Sequence, residues 1–274
     1  MTEAPDALLD GLLRLHQPPR GAHRAGTDAI LLARLLVPAA GDRLCDVGAG
    51  TGAVGLACAA LVPGLRPTLV ERDPALAATA RANTALNGID AAVIEADVLA
   101  PAAERHAAGL LPDRFDVVLT NPPFFEAGAH RVSPQPGRAS AHTFPAGSLE
   151  AWIRTCTAIL RPGGRFGLIH RADALPACLD ALRGRFGGLA IRPVHARAEA
   201  PAIRVLITAT KGSRAALRLL PPLVLHGPDG AFTPEAEALH RGSARGFKRA
   251  SPFAGPGRSP GGVSGPCPED PPKG

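Results

Sequence analysis

The chain is poor in aromatic residues and has no long apolar run. Its 274 residues include nine Phe, one Trp and no Tyr. The longest apolar stretches, such as residues 29–36 and 54–62, are far shorter than the roughly 20 residues that a transmembrane helix needs. The first ten residues carry acids and no basic stretch before an apolar run, so no secretory signal is expected. We therefore expect no membrane segment and a cytoplasmic protein.

Cysteine pairs with the spacing of a metal site are also absent. The five cysteines are scattered and odd in number: Cys45, Cys58, Cys156, Cys178 and Cys267. No two of them form a C-x-x-C pair, which would be half of a typical zinc site. We expect reduced, mostly buried thiols and no metal.

Composition predicts a globular domain and a basic tail. A hydrophobic content of 46% can fill a substantial core, and a net charge of +6 with a pI near 9.6 suits an acidic partner such as RNA. Beyond Gly242 the chain is rich in Gly, Pro, Ser and Arg and nearly free of large apolar residues. Residues 243–274 are therefore predicted to be a disordered basic Gly/Pro-rich tail after a domain spanning residues 43–242.

The domain alternates short apolar runs with helical patterns, which is typical of an α/β fold with a mostly parallel sheet and helices on both faces. Strands are predicted at residues 43–47, 67–71, 92–95, 115–120 and 165–170, and helices at 53–62, 74–87, 100–109 and 149–160. A further helix at 172–185 precedes two strands, 189–196 and 202–210, that would close one edge of the sheet.

Acidic or amide residues recur near the ends of successive predicted strands. Asp46, Glu71, Asp97 and Asn121 are separated by 25, 26 and 24 residues, about one βα unit each. Ligands of open α/β sheets bind outside the carboxyl ends of the strands. All four side chains are therefore expected to line one edge.

The first strand leads into a glycine-rich turn, "CDVGAGTGAVGLA", which fits two ligands. Gly50, Gly52 and Gly55 satisfy the dinucleotide fingerprint. Alternatively, Asp46 ends the strand, and Gly48, Gly50 and Gly52 let the backbone pass beneath a nucleoside without phosphates. An acid beside a pyrophosphate is electrostatically unfavourable, whereas beside a sulfonium it is favourable. Asp97 could also accept from an adenine amino group, so S-adenosylmethionine fits better than NAD.

The fourth strand ends in "LTNPPFF". Proline terminates strands, but two adjacent Phe are unusual in a mere turn of a chain with few aromatics. Together with the glycine turn, this stretch resembles the class I S-adenosylmethionine-dependent methyltransferases, over roughly residues 44–210. The resemblance implies a Rossmann-like, seven-stranded sheet with an antiparallel edge strand. It also implies that Glu71 grips the cofactor's ribose hydroxyls and that Asp97 lies near its adenine.

Asn121, Pro122, Pro123 and Phe124 match the [N/D]-P-P-[Y/F] motif of enzymes that methylate planar nitrogens. The resemblance implies that Asn121 and the Pro122 carbonyl accept the two N–H groups of the amine, and that Phe124 stacks on the base. Phe125 is expected to pack into the core or to contact the base.

The strings "QPPRGAHRAGTDAILLA", "KGSRAALRLLPPLVLH" and "FTPEAEAL" resemble the bacterial tRNA(Val) adenine-N6 methyltransferase family. This implies an RNA substrate, with tRNA the expected class, and an N-terminal segment, residues 1–42, that covers the cofactor site with Arg24 and Asp28 near the substrate. Thr27 or Asp28 is predicted to cap a helix at residues 29–36. His23 departs from the family, which commonly has an aromatic Tyr there.

Three alternatives stay open at this point: a glutamine-N5 methyltransferase of release factors, a ribosomal-RNA guanine-N2 methyltransferase, and a basic RNA-binding module without catalysis. The first two commonly carry a longer front segment than the roughly 40 residues before Asp46. RNA contacts are expected from basic residues flanking the active site, in the loop after the motif and near the late strands: His130, Arg131, Arg138, His142, Lys211, Arg214 and Arg218.

Overall fold

The computed structural model describes residues 4–19, 24–123 and 148–242. A large sheet forms its centre and helices cover both faces. The strands are β1 (Asp6–Leu8), β2 (Leu13–Leu15), β3 (Leu44–Val47), β4 (Thr68–Glu71), β5 (Ala92–Glu95), β6 (Phe115–Thr120), β7 (Leu160–Arg171), β8 (Phe186–His195), β9 (Ala202–Lys211), β10 (Arg218–Leu219) and β11 (Leu223–Val224). The helices are α1 (Thr27–Leu35), α2 (Ala53–Leu61), α3 (Pro74–Leu86), α4 (Ala102–Ala107), α5 (Ser148–Ile159), α6 (Leu175–Leu182) and α7 (Pro234–His240).

The sheet has the order β10-β8-β9-β7-β6-β3-β4-β5, and β11 also pairs with β8. All pairs are parallel except those of β9, which runs antiparallel to both β7 and β8. The predicted α/β fold is thus confirmed, but the prediction of an antiparallel edge strand is wrong in its placement. The last long strand inserts between β7 and β8, where it hydrogen-bonds on both sides, and two short strands extend the edge.

Side chains of alternate strand residues fill two cores, one on each face of the sheet. Leu44 and Leu119 pack with α1 and α2 in one core. Val47 and Val118 pack with α5 and α6 in the other. The four described cysteines are free and buried, which confirms the predicted thiols, and burial raises the pKa of each.

Helix boundaries follow the local chemistry at α3. The Asp73 side chain accepts hydrogen bonds from the backbone N–H groups of Ala75 and Leu76, and Pro74 occupies the first turn. The helix ends at Leu86, with Asn87 as its C-cap residue before Gly88, whose φ is +61°. Both the first-turn proline and the Asn-Gly stop are as the sequence predicts.

Helix α1 begins without a side-chain cap. Its N-cap residue is Gly26, and no side chain bonds the first turn, so the predicted capping by Thr27 or Asp28 is wrong. Asp28 lies inside the helix and forms an ion pair with Arg204 of β9 at 2.9 Å instead. At the other end of α1, the buried Arg34 guanidinium donates to the carbonyl oxygen of Leu239, at the end of α7.

Asn83 of α3 and Asn87, the C-cap residue of this helix, bind the extended N-terminal segment as a neighbouring strand would. Asn87 accepts from the backbone N–H of Arg14 at 2.8 Å and donates to its carbonyl at 2.7 Å. Asn83, one helical turn earlier, does the same for His16, at 2.7 and 3.0 Å. The spacing works because residues i and i+4 of a helix lie about as far apart as residues i and i+2 of a strand.

Some of the predicted features fall outside the described residues. They concern Phe124, Phe125, His130, Arg131, Arg138, His142 and the tail at residues 243–274. Within the described ranges, no helix is both long and apolar enough to cross a bilayer.

Candidate active site

The carboxyl ends of four neighbouring strands bring the predicted site residues to one edge of the sheet. Val47, the last residue of β3, pairs with Thr120 on one side and with Val70 on the other. Glu71 ends β4 and pairs with Glu95 of β5. The glycine turn, Glu71, Asp97 and Asn121 therefore follow adjacent strand ends, as the regular spacing of the sequence predicts.

The glycine turn folds back over β4. The backbone N–H groups of Gly48 and Ala49 both donate to the Val70 carbonyl at 2.9 Å. Gly48 and Gly50 have φ values of +73° and +56°, which residues with a side chain rarely adopt. A Cβ on Gly50 would meet no atom within 4 Å, so its backbone faces open space in which a ligand can approach closely. Gly52, the N-cap residue of α2, completes the turn.

Glu71 is fixed at the rim by two backbone groups. One carboxylate oxygen accepts from Gly50 N–H at 2.9 Å and the other from Asp73 N–H at 2.8 Å. The residue is only 8% exposed. Because an ionised carboxylate has about four acceptor positions, these two bonds leave capacity for the hydroxyl groups of a ligand.

Asp46 is buried under the turn rather than lining the open edge. It is 1% exposed, and one carboxylate oxygen accepts from Gly55 N–H in the first turn of α2 at 2.9 Å. The cause is strand alternation, since Cys45 and Val47 face the other core and Asp46 must face α2. Burial and, to a smaller extent, the nearby Glu71 charge raise the pKa of this carboxyl to about 7, against the lowering effect of the Gly55 bond.

Asp97 follows β5 and is the more open of the acids. Its side chain is 42% exposed, and one oxygen accepts from Leu99 N–H at 2.8 Å. The Arg72 guanidinium lies 3.7 Å from the other oxygen. An exposed carboxylate at this position can accept from an amino group of a ligand.

Hydrogen bonds of the Thr120 hydroxyl fix the end of β6 to β3 and α5. Thr120 is fully buried, and its hydroxyl donates to the Val47 carbonyl at 2.8 Å while accepting from the Trp152 indole at 2.9 Å. Asn121 is half-buried, Pro122 is buried and Pro123 is exposed. The motif thus leaves the sheet directly beside the glycine turn.

The N-terminal segment reaches this edge as well. The third hydrogen bond of Asn83 goes to the carbonyl of Thr51 in the glycine turn, at 2.9 Å. Arg24 forms an ion pair with Asp6 and donates to the Pro18 carbonyl, and Asp28 pairs with Arg204. The two residues predicted to contact substrate thus have structural partners in the protein, and their contact with substrate stays a prediction.

The expectation that Lys211, Arg214 and Arg218 flank the active site is wrong. Lys211 ends β9 and pairs with Phe186, the first residue of β8, so it lies at the opposite edge, where its ammonium contacts Asp113 at 2.8 Å. Arg214 lies beside Gly187 and Arg218 beside Ala190. The error arises because β9 is antiparallel, which sends its carboxyl end away from the catalytic edge.

Comparison with known proteins identifies the family. Residues 24–188 match the family model described as "Methyltransferase small domain". The chain belongs to this family. The match confirms the predicted class I methyltransferase fold and S-adenosylmethionine as the cofactor, and the site fits such a group: carboxylates line the rim, and the glycine turn leaves open space.

Two relatives carry the same description, tRNA1(Val) (adenine(37)-N6)-methyltransferase. The protein from Porphyromonas gingivalis is 34% identical over 160 residues, which is 56% of this chain and 61% of the relative. The protein from Musicola paradisiaca is 31% identical over 196 residues, 70% of this chain and 76% of the relative. The match thus spans somewhat less than two thirds of the former relative's length.

A solved structure shares both sequence and fold. A predicted O-methyltransferase from Agrobacterium tumefaciens is 38% identical, with a TM-score of 0.66 over 78% of this chain and 96% of its own. Since that protein is described as acting on oxygen, likeness of fold does not choose between oxygen and nitrogen as the acceptor atom. The choice depends on the residues at the end of β6.

Proposed function

We propose that the protein is an S-adenosylmethionine-dependent N-methyltransferase that methylates the exocyclic N6 amine of an adenine in tRNA, of the adenine-37 type in tRNA(Val). The observation that carries the proposal is the position of Asn121-Pro122-Pro123. The motif directly follows β6, whose last residue pairs with the last residue of β3, so it adjoins the glycine turn. The descriptions of the two relatives support the same substrate.

The chemistry requires hydrogen-bond acceptors rather than a strong base. The lone pair of an adenine N6 amine is delocalised into the ring, which makes the nitrogen a poor nucleophile. The Asn121 side-chain oxygen accepts one N–H and the Pro122 carbonyl the other, which stabilises positive charge as it develops on the nitrogen. Pro122 and Pro123 have no backbone N–H, so neither residue brings a donor that competes with the amine for these acceptors. Phe124 stays a prediction as the surface on which the base stacks.

The cofactor supplies a methyl group on a positively charged sulfonium. The residues proposed to hold it are Glu71, for the ribose hydroxyls, Asp97, for the adenine amine, and the backbone at Gly48, Gly50 and Gly52. Asp46 contributes negative charge beneath the turn when it is ionised. The strength of that contribution depends on pH, since the pKa of Asp46 is raised to about 7.

The N-terminal segment, residues 1–42, is proposed to cover the cofactor. The support is the hydrogen-bonded path from His16 through Asn83 to the Thr51 carbonyl, which ties the segment to the glycine turn. Arg24 and Asp28 lie in the part of the segment that reaches the catalytic edge, consistent with a position near substrate. RNA is the proposed partner, with Arg131 and Arg138 as proposed contacts, and an enzyme that modifies tRNA is expected to work in the cytoplasm.

The test is incubation with labelled S-adenosylmethionine and either total tRNA or a translation release factor, followed by nucleoside and amino-acid analysis. Label in N6-methyladenosine is the expected result. Label in glutamine would identify the release-factor alternative. Ribosomal RNA is tested as a third substrate, and label in N2-methylguanosine would identify the ribosomal-RNA alternative. Calorimetry that finds no cofactor binding would favour an RNA-binding module without catalysis.

Asn121→Ala tests the residue assignment. Turnover is expected to fall by about 10²- to 10³-fold, as for the loss of one group that stabilises transition-state charge, with cofactor affinity nearly unchanged. Asn87→Ala is the matched control, because it also removes an asparagine side chain, and the hydrogen-bond partners of that side chain are the backbone of Arg14 and of Asn83 rather than the glycine turn or the end of β6. Near-normal turnover of Asn121→Ala would remove Asn121 from the mechanism.

A further inference from the structure

Trp152, the only tryptophan of the chain, lies beneath two strand ends of the active site. Helix α5 buries residues at spacings of three and four: Leu149, Trp152, Ile153, Cys156 and Ile159. This stripe faces the sheet, and Trp152 is 5% exposed. The same helix reaches the strand end that carries Asp97, because the Thr155 hydroxyl donates to the Val98 carbonyl at 2.7 Å.

A short chain of hydrogen bonds leads from the indole of Trp152 to Val47 at the end of β3. The indole N–H donates to the Thr120 hydroxyl at 2.9 Å, and that hydroxyl donates to the Val47 carbonyl at 2.8 Å. Thr120 immediately precedes Asn121, and Val47 immediately precedes Gly48. The chain therefore connects the last strand residue before the motif with the last residue before the glycine turn. Consecutive buried hydrogen bonds of this kind polarise and strengthen one another.

The indole also touches the turn itself. A Cβ on Gly48 would lie 2.8 Å from Cζ2 and 3.0 Å from Cη2 of Trp152, closer than real Cβ contacts. The six-membered ring thus packs directly against the Gly48 backbone. One rigid side chain therefore sets the distance between the turn, where the methyl donor is expected to bind, and the strand end that presents the acceptors.

We propose that Trp152 is a positioning residue for methyl transfer, acting through Thr120 on Asn121. This inference rests on the role proposed above for Asn121. Trp152 is 5% exposed and contacts Gly48 and Thr120, so the role we assign to it is alignment. Alignment matters because the nitrogen must lie in line with the methyl group, and a displacement of about 1 Å can cost about 10²-fold in rate.

The first measurement needs no cofactor. With one tryptophan, the ¹H–¹⁵N spectrum of the protein contains a single indole N–H signal. Thr120→Val removes the acceptor but preserves the volume, and it should shift this signal and speed its exchange with solvent. Thr157→Val is the control, since it removes a hydroxyl of α5 that bonds the Ile153 carbonyl within the helix, and the signal should keep its exchange rate. An unchanged indole signal in Thr120→Val would overturn the proposal.

The second measurement separates positioning from folding. Trp152→Phe and Thr120→Val are each expected to lower kcat by about 10- to 100-fold, with the KM for RNA within about threefold, at temperatures well below unfolding. Thr120→Ser, which keeps the hydroxyl, should recover most of the rate. The double variant should be no slower than the slower single one, because both remove the same bond.

The outcomes distinguish this inference from the proposed function. If Asn121→Ala lowers turnover as expected while Trp152→Phe and Thr120→Val leave kcat unchanged, only the positioning role is refuted. If the two variants lower kcat and the losses multiply in the double variant, their effects are independent and the proposed linkage through one hydrogen bond is refuted. If Asn121→Ala retains turnover, both the acceptor role and the positioning role are refuted.

Discussion

Replacing Asp46 with asparagine tests whether the ionised form of this buried carboxyl lowers the stability of the fold while favouring cofactor binding. Asparagine has nearly the same shape, and its side-chain oxygen can still accept from Gly55 N–H, which the carboxylate bonds at 2.9 Å. The substitution removes the ability to ionise. The free energy of unfolding should therefore change in a way that depends on pH, and cofactor binding should change in the opposite direction.

The sign follows from the raised pKa. Burial shifts the pKa of Asp46 from 3.8 to about 7, so between these values the folded protein holds a proton that the unfolded chain has released. Stability from this group is fully present below about pH 4 and is lost as the pH rises through about 7. From about pH 5 to about pH 8 the expected loss is roughly 2–3 kcal/mol, an upper value for a single carboxyl, while the protein with Asp46→Asn loses nothing from this position.

Denaturant unfolding of both proteins at several pH values is the assay. Other titratable groups, including His170, whose pKa is lowered by burial, are the same in both proteins and cancel in the difference. The stability difference in favour of Asp46→Asn should grow with pH and level off near pH 8. A difference that stays constant from pH 5 to pH 8 would show that the carboxyl does not titrate there, and the reasoning from burial would fail.

Cofactor affinity supplies the second half of this prediction. If the ionised form of Asp46 favours a cationic cofactor, the affinity of the unaltered protein for S-adenosylmethionine should rise with pH through about 7. The affinity of Asp46→Asn should be lower at pH 8 and nearly independent of pH. Calorimetry across the same pH range measures both. Equal affinities at pH 8 would exclude an electrostatic role for Asp46.

Two further predictions concern residues outside the proposed catalytic group. Asn83→Ala should lower the free energy of unfolding by about 2–4 kcal/mol, and it should weaken cofactor binding because it removes the hydrogen bond to the Thr51 carbonyl. Asn87→Ala should lower the free energy of unfolding by about 1–2 kcal/mol and leave cofactor binding unchanged. Equal effects of the two on calorimetric affinity would argue against a link between the segment and the turn. The Arg43 guanidinium holds the pKa of Asp116 well below its usual range, so Asp116→Asn should destabilise the protein near pH 7 by about 1 kcal/mol. This loss should shrink as the pH falls below about 4, and urea unfolding at both pH values measures it.

The sequence predicts the regular part of the fold because local patterns determine it. Strands β5 and β6 match their predicted ranges, and α2 and α3 end within one residue of theirs. The order of strand ends also follows from pattern, since every parallel βα unit returns to the same edge. What local pattern does not show is strand direction late in the chain. β9 has the pattern of an ordinary apolar strand, and only its neighbours reveal that it is antiparallel.

Contacts between residues far apart in sequence are the other part that local pattern does not predict. Asn83 is a weak helix former inside a helix, which is a signal of a special contact, but its partners His16 and Thr51 lie far away in sequence. A lone Trp152 on the apolar stripe of α5 is a similar signal, because the chain has few aromatics. Neither pattern identifies a partner. The burial of Asp46 could have been expected from alternation with Cys45 and Val47, had the face covered by α2 been known.

The contacts of the glycine turn explain how the site can bind its cofactor without first reorganising. Separate elements hold successive parts of the turn: Asp46 holds Gly55, Trp152 packs under Gly48, Glu71 bonds Gly50, and Asn83 bonds the Thr51 carbonyl. A turn fixed in this way loses little conformational entropy when a ligand binds, so more of the contact energy appears as affinity. The bond from Gly50 to Glu71 does not compete with the proposed ribose contact. A carboxylate oxygen that accepts from Gly50 keeps a second lone pair for a hydroxyl group, and the bound N–H keeps the carboxylate oriented toward the rim.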